Sequence, residues 1–279
     1  MIIWLASYPK SGNTLVRSLL SAYFFSEVGT FSFDLLKNIQ QFPQKKLFDR
    51  VGVNTKSEIE VIKNYIKVQE SFNKKNSIQF IKTHSCLFNI NGNPFTNLNN
   101  SLGVIYIVRD PRTVVLSYAN HTNKDVASMK DHLINGLKIG GNYTSNYDDD
   151  ALPVYTGNWG KNYESWKSFQ NTNQYLLIKY EDLIKKKEET FLSILRFIFG
   201  LQKKVIKIDQ KKFKEVLEST RFEKMKSLED TYGFPEAKKN KFFNLGPNNN
   251  WKKVLDKKHQ IEIENSFKRE MRELGYLNN

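Results

Sequence analysis

Three short groups in this sequence are of residue types that can hold an anion and move a proton. The first is Lys10-Ser11-Gly12-Asn13-Thr14. It follows an apolar run over 2–7 (IIWLAS) and precedes a helical pattern that opens near Asn13 and carries Leu15, Leu19, Leu20 and Tyr23. Backbone N–H groups at such a helix start bind phosphate, helped by the helix dipole. Gly12 permits a tight turn, Lys10 supplies a point charge and Thr14 a hydroxyl. The lysine precedes the glycine, so the GxxxxGK[ST] pattern is not met, and a plain capped helix start is the competing reading. The second group is Lys82-Thr83-His84. A neutral imidazole can take a proton from an attacking hydroxyl, and a neighbouring cation lowers its pKa and keeps it neutral. A purely structural histidine is the alternative. The third group is Arg109 with Ser117, about two turns into the following helix. Arginine is a bidentate phosphate partner; pairing of Arg109 with Asp110 is the alternative.

The elements that must position these groups read as strand, loop, helix, repeated. Strands are expected at 2–7, 78–81, 104–108 and 175–179. Each ends in a polar or charged group: Tyr8-Pro9-Lys10, Lys82-Thr83-His84, Arg109-Asp110-Pro111 and Tyr180-Glu181-Asp182. Asp110 suits an N-cap and Pro111 the first helical position. A helix after Tyr180 should run toward Gly200, with Gly200 as its C-cap. Short apolar strands alternating with helices predict an α/β fold, a central parallel sheet flanked by helices. Ligands of such sheets bind at the carboxyl ends of the strands. Two stretches, 88–101 and 139–159, read as loops, and their aromatic residues suit a substrate lip.

The composition narrows the classes. The 279 residues hold 43 Lys plus Arg against 29 Asp plus Glu, a formal charge of +14. Much of the excess is lysine interleaved with glutamate, as in Lys185 to Glu189, which reads as solvated helix surface rather than a nucleic-acid interface. The single cysteine, Cys86, excludes an intrachain disulfide and a Cys-based zinc site, and suits a reducing, cytoplasmic compartment. No apolar run approaches the ~20 residues of a membrane span, and no secretory signal is expected from residues 1–12. The whole of 1–279 is read as one domain.

Taken together the motifs resemble the sulfotransferases that use 3′-phosphoadenosine 5′-phosphosulfate. Tyr8-Pro9-Lys10-Ser11-Gly12-Asn13-Thr14 resembles that family's loop for the 5′-phosphosulfate. Lys82-Thr83-His84 resembles the segment with its catalytic histidine, and Arg109 to Ser117 its 3′-phosphate motif. Tyr180-Glu181-Asp182-Leu183 resembles the strand end whose tyrosine meets adenine. Thr220-Arg221-Phe222, with Met225-Lys226, resembles a later nucleotide-binding segment, and Gly246 to Trp251 the C-terminal stretch. The resemblance implies a P-loop-like α/β fold and transfer of a sulfuryl group to a small-molecule or glycan hydroxyl without a metal. It also implies roles: His84 as base, Lys10 and Lys82 on the leaving phosphate, Ser11 to Thr14 on the 5′-phosphate, and Arg109 with Ser117 on the 3′-phosphate. Leu15, Tyr180, Thr220 and Phe222 would meet the nucleoside, and Asn244, Leu245 and Gly246 would close over it.

Three positions depart from the family pattern. Asn13 stands where threonine is usual, and Leu15 where a tryptophan commonly stacks on adenine. Asn244-Leu245-Gly246 replaces Arg-Lys-Gly, so two cations are missing, and Lys238, Lys239 or Lys241 is expected to supply them, Lys241 being favoured. Two other function classes fit parts of the pattern: a small-molecule P-loop kinase, which needs ATP and a metal-binding carboxylate, and a polyanion-binding protein without turnover, whose affinity would fall steeply with salt.

Overall fold

The computed structural model describes residues 1–73, 77–140, 152–237, 240–244, 246 and 250–278. Seven strands are present among them: β1 Ile2–Ser7, β2 Gln40–Gln41, β3 Gln79–Thr83, β4 Asn89–Ile90, β5 Asn93–Pro94, β6 Ser101–Val108 and β7 Tyr175–Lys179. Five form one sheet in the order β2-β3-β1-β6-β7, and every pairing in it is parallel. β4 and β5 make a separate small hairpin.

The central strands are apolar on both faces because both faces are covered. Side chains alternate across a strand. Ile2, Trp4 and Ala6 of β1 join Val104, Tyr106 and Val108 of β6 in one core. Ile3 and Leu5 join Ile105 and Ile107 in the other, with Leu15, Val16, Leu19 and Leu20 of the helix Asn13–Phe25. This is the pattern of a parallel sheet between two helical layers. The first core extends to Leu274, with Tyr276 and Leu277 packed on it, so the end of the chain is part of the same body.

Register then aligns the strand ends. Ala6 lies level with Thr83 on one side and Tyr106 on the other, and Val108 lies level with Lys179. The residues that follow, Ser7, His84, Arg109 and Tyr180, therefore emerge at one edge of the sheet. Asp110 caps the helix Pro111–Thr122 by accepting from Arg112 N, with Pro111 in the first turn, as the sequence predicts.

Several expectations need correction. Gly200 is not a C-cap. The helix Lys187–Leu201 passes through it, and Lys203 takes the left-handed turn instead, at φ 54°. Lys204 N then donates to Phe199 O at 3.1 Å and closes the helix end. The helix expected from Tyr180 is two pieces, Tyr180–Lys185 and Lys187–Leu201, broken at Lys186. β6 begins at Ser101 rather than 104, because Ser101 is buried against the Trp4 indole, whose Nε1 donates to its Oγ at 2.8 Å. The stretch 88–101 contains the β4–β5 hairpin. Trp159, assigned to a loop, begins the helix Trp159–Trp166 and is buried.

That helix clamps the turn after β3. Asn162 Nδ2 donates to His84 O at 2.9 Å and to Thr156 O at 2.8 Å, and its Oδ1 accepts from Tyr106 OH at 2.8 Å. Trp166 Nε1 donates to Ser85 O at 2.9 Å. All these groups except His84 lie deep in the core, so no solvent replaces a lost partner. Asn162→Ala is expected to cost about 1–3 kcal/mol for each buried group left unpaired. Chemical denaturation should show a lower midpoint with an unchanged slope, and a midpoint at the wild-type value would refute the clamp.

Candidate active site

The phosphate loop is shaped by two unusual backbone conformations. Lys10 sits at φ 65° and Gly12 at φ 106°, both in the left-handed region. A Cβ at Gly12 would lie 2.6 Å from Tyr180 Cδ2, so only glycine permits both the turn and the approach of Tyr180. The helix Asn13–Phe25 starts from this turn, and its first N–H groups have no intrahelical acceptor. Asn13 does not cap it. Its Nδ2 reaches back to Leu5 O at 2.8 Å and to Ser7 Oγ at 3.2 Å, tying the loop to the end of β1.

A cavity of about 1230 Å³ opens over this loop. Lys10, Gly12, Asn13, Thr14, Leu15, Lys82, His84, Arg109, Ser117, Tyr180, Thr220, Phe222, Asn244 and Gly246 all border it. Of the expected site residues, Ser11 lies behind the wall, fully buried, and Leu245 falls outside the described residues. The sheet edge thus brings together groups separated by more than two hundred residues of chain.

His84 has a defined tautomer. Its Nδ1 lies 2.8 Å from Ser7 O, a carbonyl that can only accept. Nδ1 therefore carries the hydrogen and Nε2 the lone pair. Burial and then the nearby Lys82 ammonium pull the imidazole pKa down to about 3, so the ring is neutral at pH 7.

The cations of the cavity each lean on a partner. Lys10 Nζ lies 3.7 Å from the centroid of the Phe242 ring. Its pKa falls to about 7, through burial first and Arg109 second. The Arg109 guanidinium lies 4.0 Å from the Tyr180 ring centroid, and its Nη1 donates to Lys10 O at 3.2 Å. It does not pair with Asp110, which is taken by Arg112 at 2.7 Å. Asp110 N donates to Glu181 Oε1 at 3.2 Å, and Tyr276 OH to Glu181 Oε2 at 2.9 Å, which fixes the Arg109 turn against the end of β7. Arg112 also lies 3.9 Å from the Trp251 ring centroid.

Ser11 Oγ, Arg17 Nε and Arg109 Nε are buried polar atoms with no hydrogen-bond partner among the described residues. Unpaired buried donors are costly. Donors gathered around a left-handed glycine turn and a helix start suit an anionic ligand of the phosphate or sulfate type. Leu15, Tyr180, Leu183, Thr220 and Phe222 also line the cavity. Gly246, at φ 49°, packs flat on the Phe222 ring, where a Cβ would come within 2.3 Å.

Two expectations fail here. Lys241 does not border the cavity; it pairs with Asp230 on the helix Phe222–Tyr232. The Asp230 carboxylate lies nearer in the chain and leaves it no reason to turn inward. Lys238 and Lys239 lie outside the described residues. The stretch 88–101 borders a separate cavity of about 300 Å³ with Leu87 and Phe169, so only 139–159, through Ile139, Gly140, Leu152 and Val154, reaches the large one. Sequence reasoning also missed Ser7, Asn162 and Glu236. Ser7 meets His84 through its backbone carbonyl and its Oγ, contacts that a lone serine at a strand end does not announce, and the other two carry no local pattern.

With fold and geometry in place, comparison with known proteins decides the family. A sulfotransferase domain model matches residues 2–275. The chain belongs to the sulfotransferase family. Among solved structures, the chain is similar to mouse sulfotransferase SULT7A1 complexed with PAP, at 20% identity and a TM-score of 0.61 over 98% of this chain and 85% of that one. It is also similar to retinol dehydratase in complex with androsterone and PAP, at 16% identity and a TM-score of 0.62 over 97% and 80% of the two chains. A second retinol dehydratase structure, with retinol and PAP, matches at 16% identity and a TM-score of 0.62 over 97% and 81%. Searching the curated proteins gave no match.

The Lys10 pKa makes anion binding depend on pH. A lysine lowered to about 7 is partly neutral at pH 7.5, and an anion restores its charge by proton uptake. The affinity of this sulfotransferase for adenosine 3′,5′-bisphosphate is expected to fall as pH rises from 7.5 to 9, by up to roughly tenfold per unit. Calorimetry in buffers of different ionisation heat should report the proton taken up. An affinity flat across that range would remove Lys10 from the anion site.

Proposed function

We propose that this chain transfers a sulfuryl group from 3′-phosphoadenosine 5′-phosphosulfate to a hydroxyl acceptor, with 1–279 acting as one sulfotransferase domain. The observation that carries this reading is the convergence of His84, with its Nε2 lone pair, and the two cations Lys10 and Lys82 on one cavity over the phosphate loop. The solved relatives bound to PAP support the choice of donor.

In this reading the donor's 5′-phosphosulfate lies over Ser11, Gly12, Asn13 and Thr14, its 3′-phosphate meets Arg109 and Ser117, and its adenine meets Leu15, Tyr180, Thr220 and Phe222. Leu15 offers apolar contact, while Tyr180 and Phe222 offer aromatic faces. The acceptor hydroxyl donates to His84 Nε2. Its oxygen forms the new O–S bond as the S–O bond to the 5′-phosphate breaks in line. The proton passes to Nε2, and the electron pair stays on the leaving adenosine 3′,5′-bisphosphate. Lys10 and Lys82 face the charge that grows on that leaving oxygen, where fixed cations lower the barrier most. No step uses a metal. Pro43, Leu116, Tyr118, Ile139, Leu152 and Val154 line the cavity together with the polar Gln41, Gln44, Asn120, His121 and Thr122, a mixed wall open to a small-molecule or glycan hydroxyl. The lone, buried Cys86 fits a reducing, cytoplasmic setting.

The direct test offers the protein radiolabelled phosphosulfate or γ-labelled ATP with a panel of alcohols and phenols. Label transfer from the first alone is expected, and transfer from ATP with Mg²⁺ would favour the kinase reading. His84→Ala should lower kcat by on the order of 10²–10⁴-fold and leave bisphosphate affinity nearly intact; near-normal turnover would sink the base assignment. Arg109→Ala should weaken adenosine 3′,5′-bisphosphate by about 1.5–3 kcal/mol, the range for one charged hydrogen bond, and adenosine 5′-phosphate far less. Equal losses for both nucleotides would take Arg109 out of the 3′-phosphate site.

A further inference from the structure

One acidic group in the cavity has no part in the reading above. Only Glu223 and Glu236 bring carboxylates to the described lining, and Glu223 is exposed at the start of the helix Phe222–Tyr232. Glu236 instead points at the reacting edge of the sheet. Its Oε1 lies 2.5 Å from Arg17 Nη1 and its Oε2 3.4 Å from Lys82 Nζ. Arg17 sits on the first helix one turn beyond Asn13, and both cations are buried, at 5% and 8% exposure. The bridge joins three elements distant in sequence: the first helix, the end of β3 and the segment after Gly233.

We propose that Glu236 is a positioning residue for sulfuryl transfer: its carboxylate ties the Lys82 ammonium to Arg17 and holds it as a cation at the cavity edge, two residues from His84. The inference rests on the role given to Lys82 above. Its physical basis is the crowding of like charges. Lys82 is faced by Arg17 from the first helix, by Lys10 from the phosphate loop, by His84 just beyond its own strand, and, as the opposite charge among the described residues, by Glu236. Burial lowers the Lys82 pKa, Arg17 lowers it further and Glu236 opposes both. Burial works against the Glu236 carboxylate too, yet Lys82 and Arg17 hold its pKa down to about 2, so it stays charged at every working pH.

The two partners of the bridge act on Lys82 with opposite sign, and this gives a test that a merely structural role does not mimic. Protein with ¹³Cε-labelled lysine is titrated by NMR, with the Lys82 signal assigned by its loss in Lys82→Arg. Glu236→Gln is expected to lower the Lys82 midpoint by about 1–3 pH units, as for loss of a close opposite charge. Arg17→Gln should raise it, because a like charge is removed. In parallel, in a Lys10→Arg background that removes the titration of Lys10, itself raised by Glu236, the alkaline fall of kcat/KM for the phosphosulfate donor should move down in Glu236→Gln and up in Arg17→Gln. Should one variant fail to fold, the other still reports the sign. A Lys82 midpoint unmoved in a folded variant, or moved the same way in both, would overturn the proposal at Glu236 itself. Midpoints that move as expected while the rate profiles stay fixed would overturn it through Lys82, by removing that lysine from the transfer step.

Discussion

Cations crowded at one edge of a sheet are the constraint on which this structure turns. Lys10, Arg17, Lys82 and Arg109 converge on the carboxyl ends of β1, β3 and β6, where burial withdraws water from each. Charges in such a place are favourable only beside something negative. The protein provides two kinds of partner. A ring face meets Lys10 at Phe242 and another meets Arg109 at Tyr180, each worth about 0.5–2 kcal/mol. A single carboxylate, Glu236, serves Arg17 and Lys82. The ring faces carry no net charge and Glu236 carries one against two cations, so positive charge is left over for an anionic ligand.

The partners come from elsewhere in the chain. Phe242 and Glu236 belong to the stretch that follows the helix Phe222–Tyr232, which is itself pinned to the body. Glu229 accepts from Phe242 N at 2.7 Å and Phe243 N at 2.9 Å, and Asn240 Nδ2 donates to Asn120 O at 2.8 Å. Asn244 Nδ2 reaches Asn120 Oδ1 at 3.2 Å. Asn244 thus spends its side chain on the helix Pro111–Thr122 that carries Ser117. Asn244 therefore ties the segment after Tyr232 to that helix, while Lys241 pairs with Asp230.

What the sequence made legible was the part encoded locally. A short apolar run with a charged end needs only its own residues to be recognised, and the four such ends, at Lys10, His84, Arg109 and Tyr180, do meet on one cavity. Parallel pairing supplies the missing step, since register alone brings strand ends level. What stayed hidden depends on pairs far apart in the chain. Asn162 lies 78 residues from the His84 carbonyl it binds, and Glu236 lies 219 residues from Arg17. A lone asparagine in a helix or a lone glutamate after a proline has no pattern to read. Gly200 misled for the converse reason: glycine favours a C-cap, but Leu195 and Ile198 bury the helix beyond what local propensity decides, and Lys203 accepts the left-handed turn.

The low pKa of His84 has its own consequence for the order of events. An imidazole at about 3 is neutral, with the right tautomer, but it is a feeble base. Two causes depress it, burial and the positive field of Lys82, and they respond differently to a ligand. Burial deepens when a cavity fills. The field of Lys82 is opposed by any anion set against that ammonium, and the imidazolium form then gains. On the function proposed above, a donor that sets its phosphosulfate against Lys82 and Lys10 would make His84 a stronger base at the place where the proton goes. The acceptor hydroxyl would then meet a competent base once the donor is in position, and the same charges that bind the donor would keep His84 neutral before it arrives.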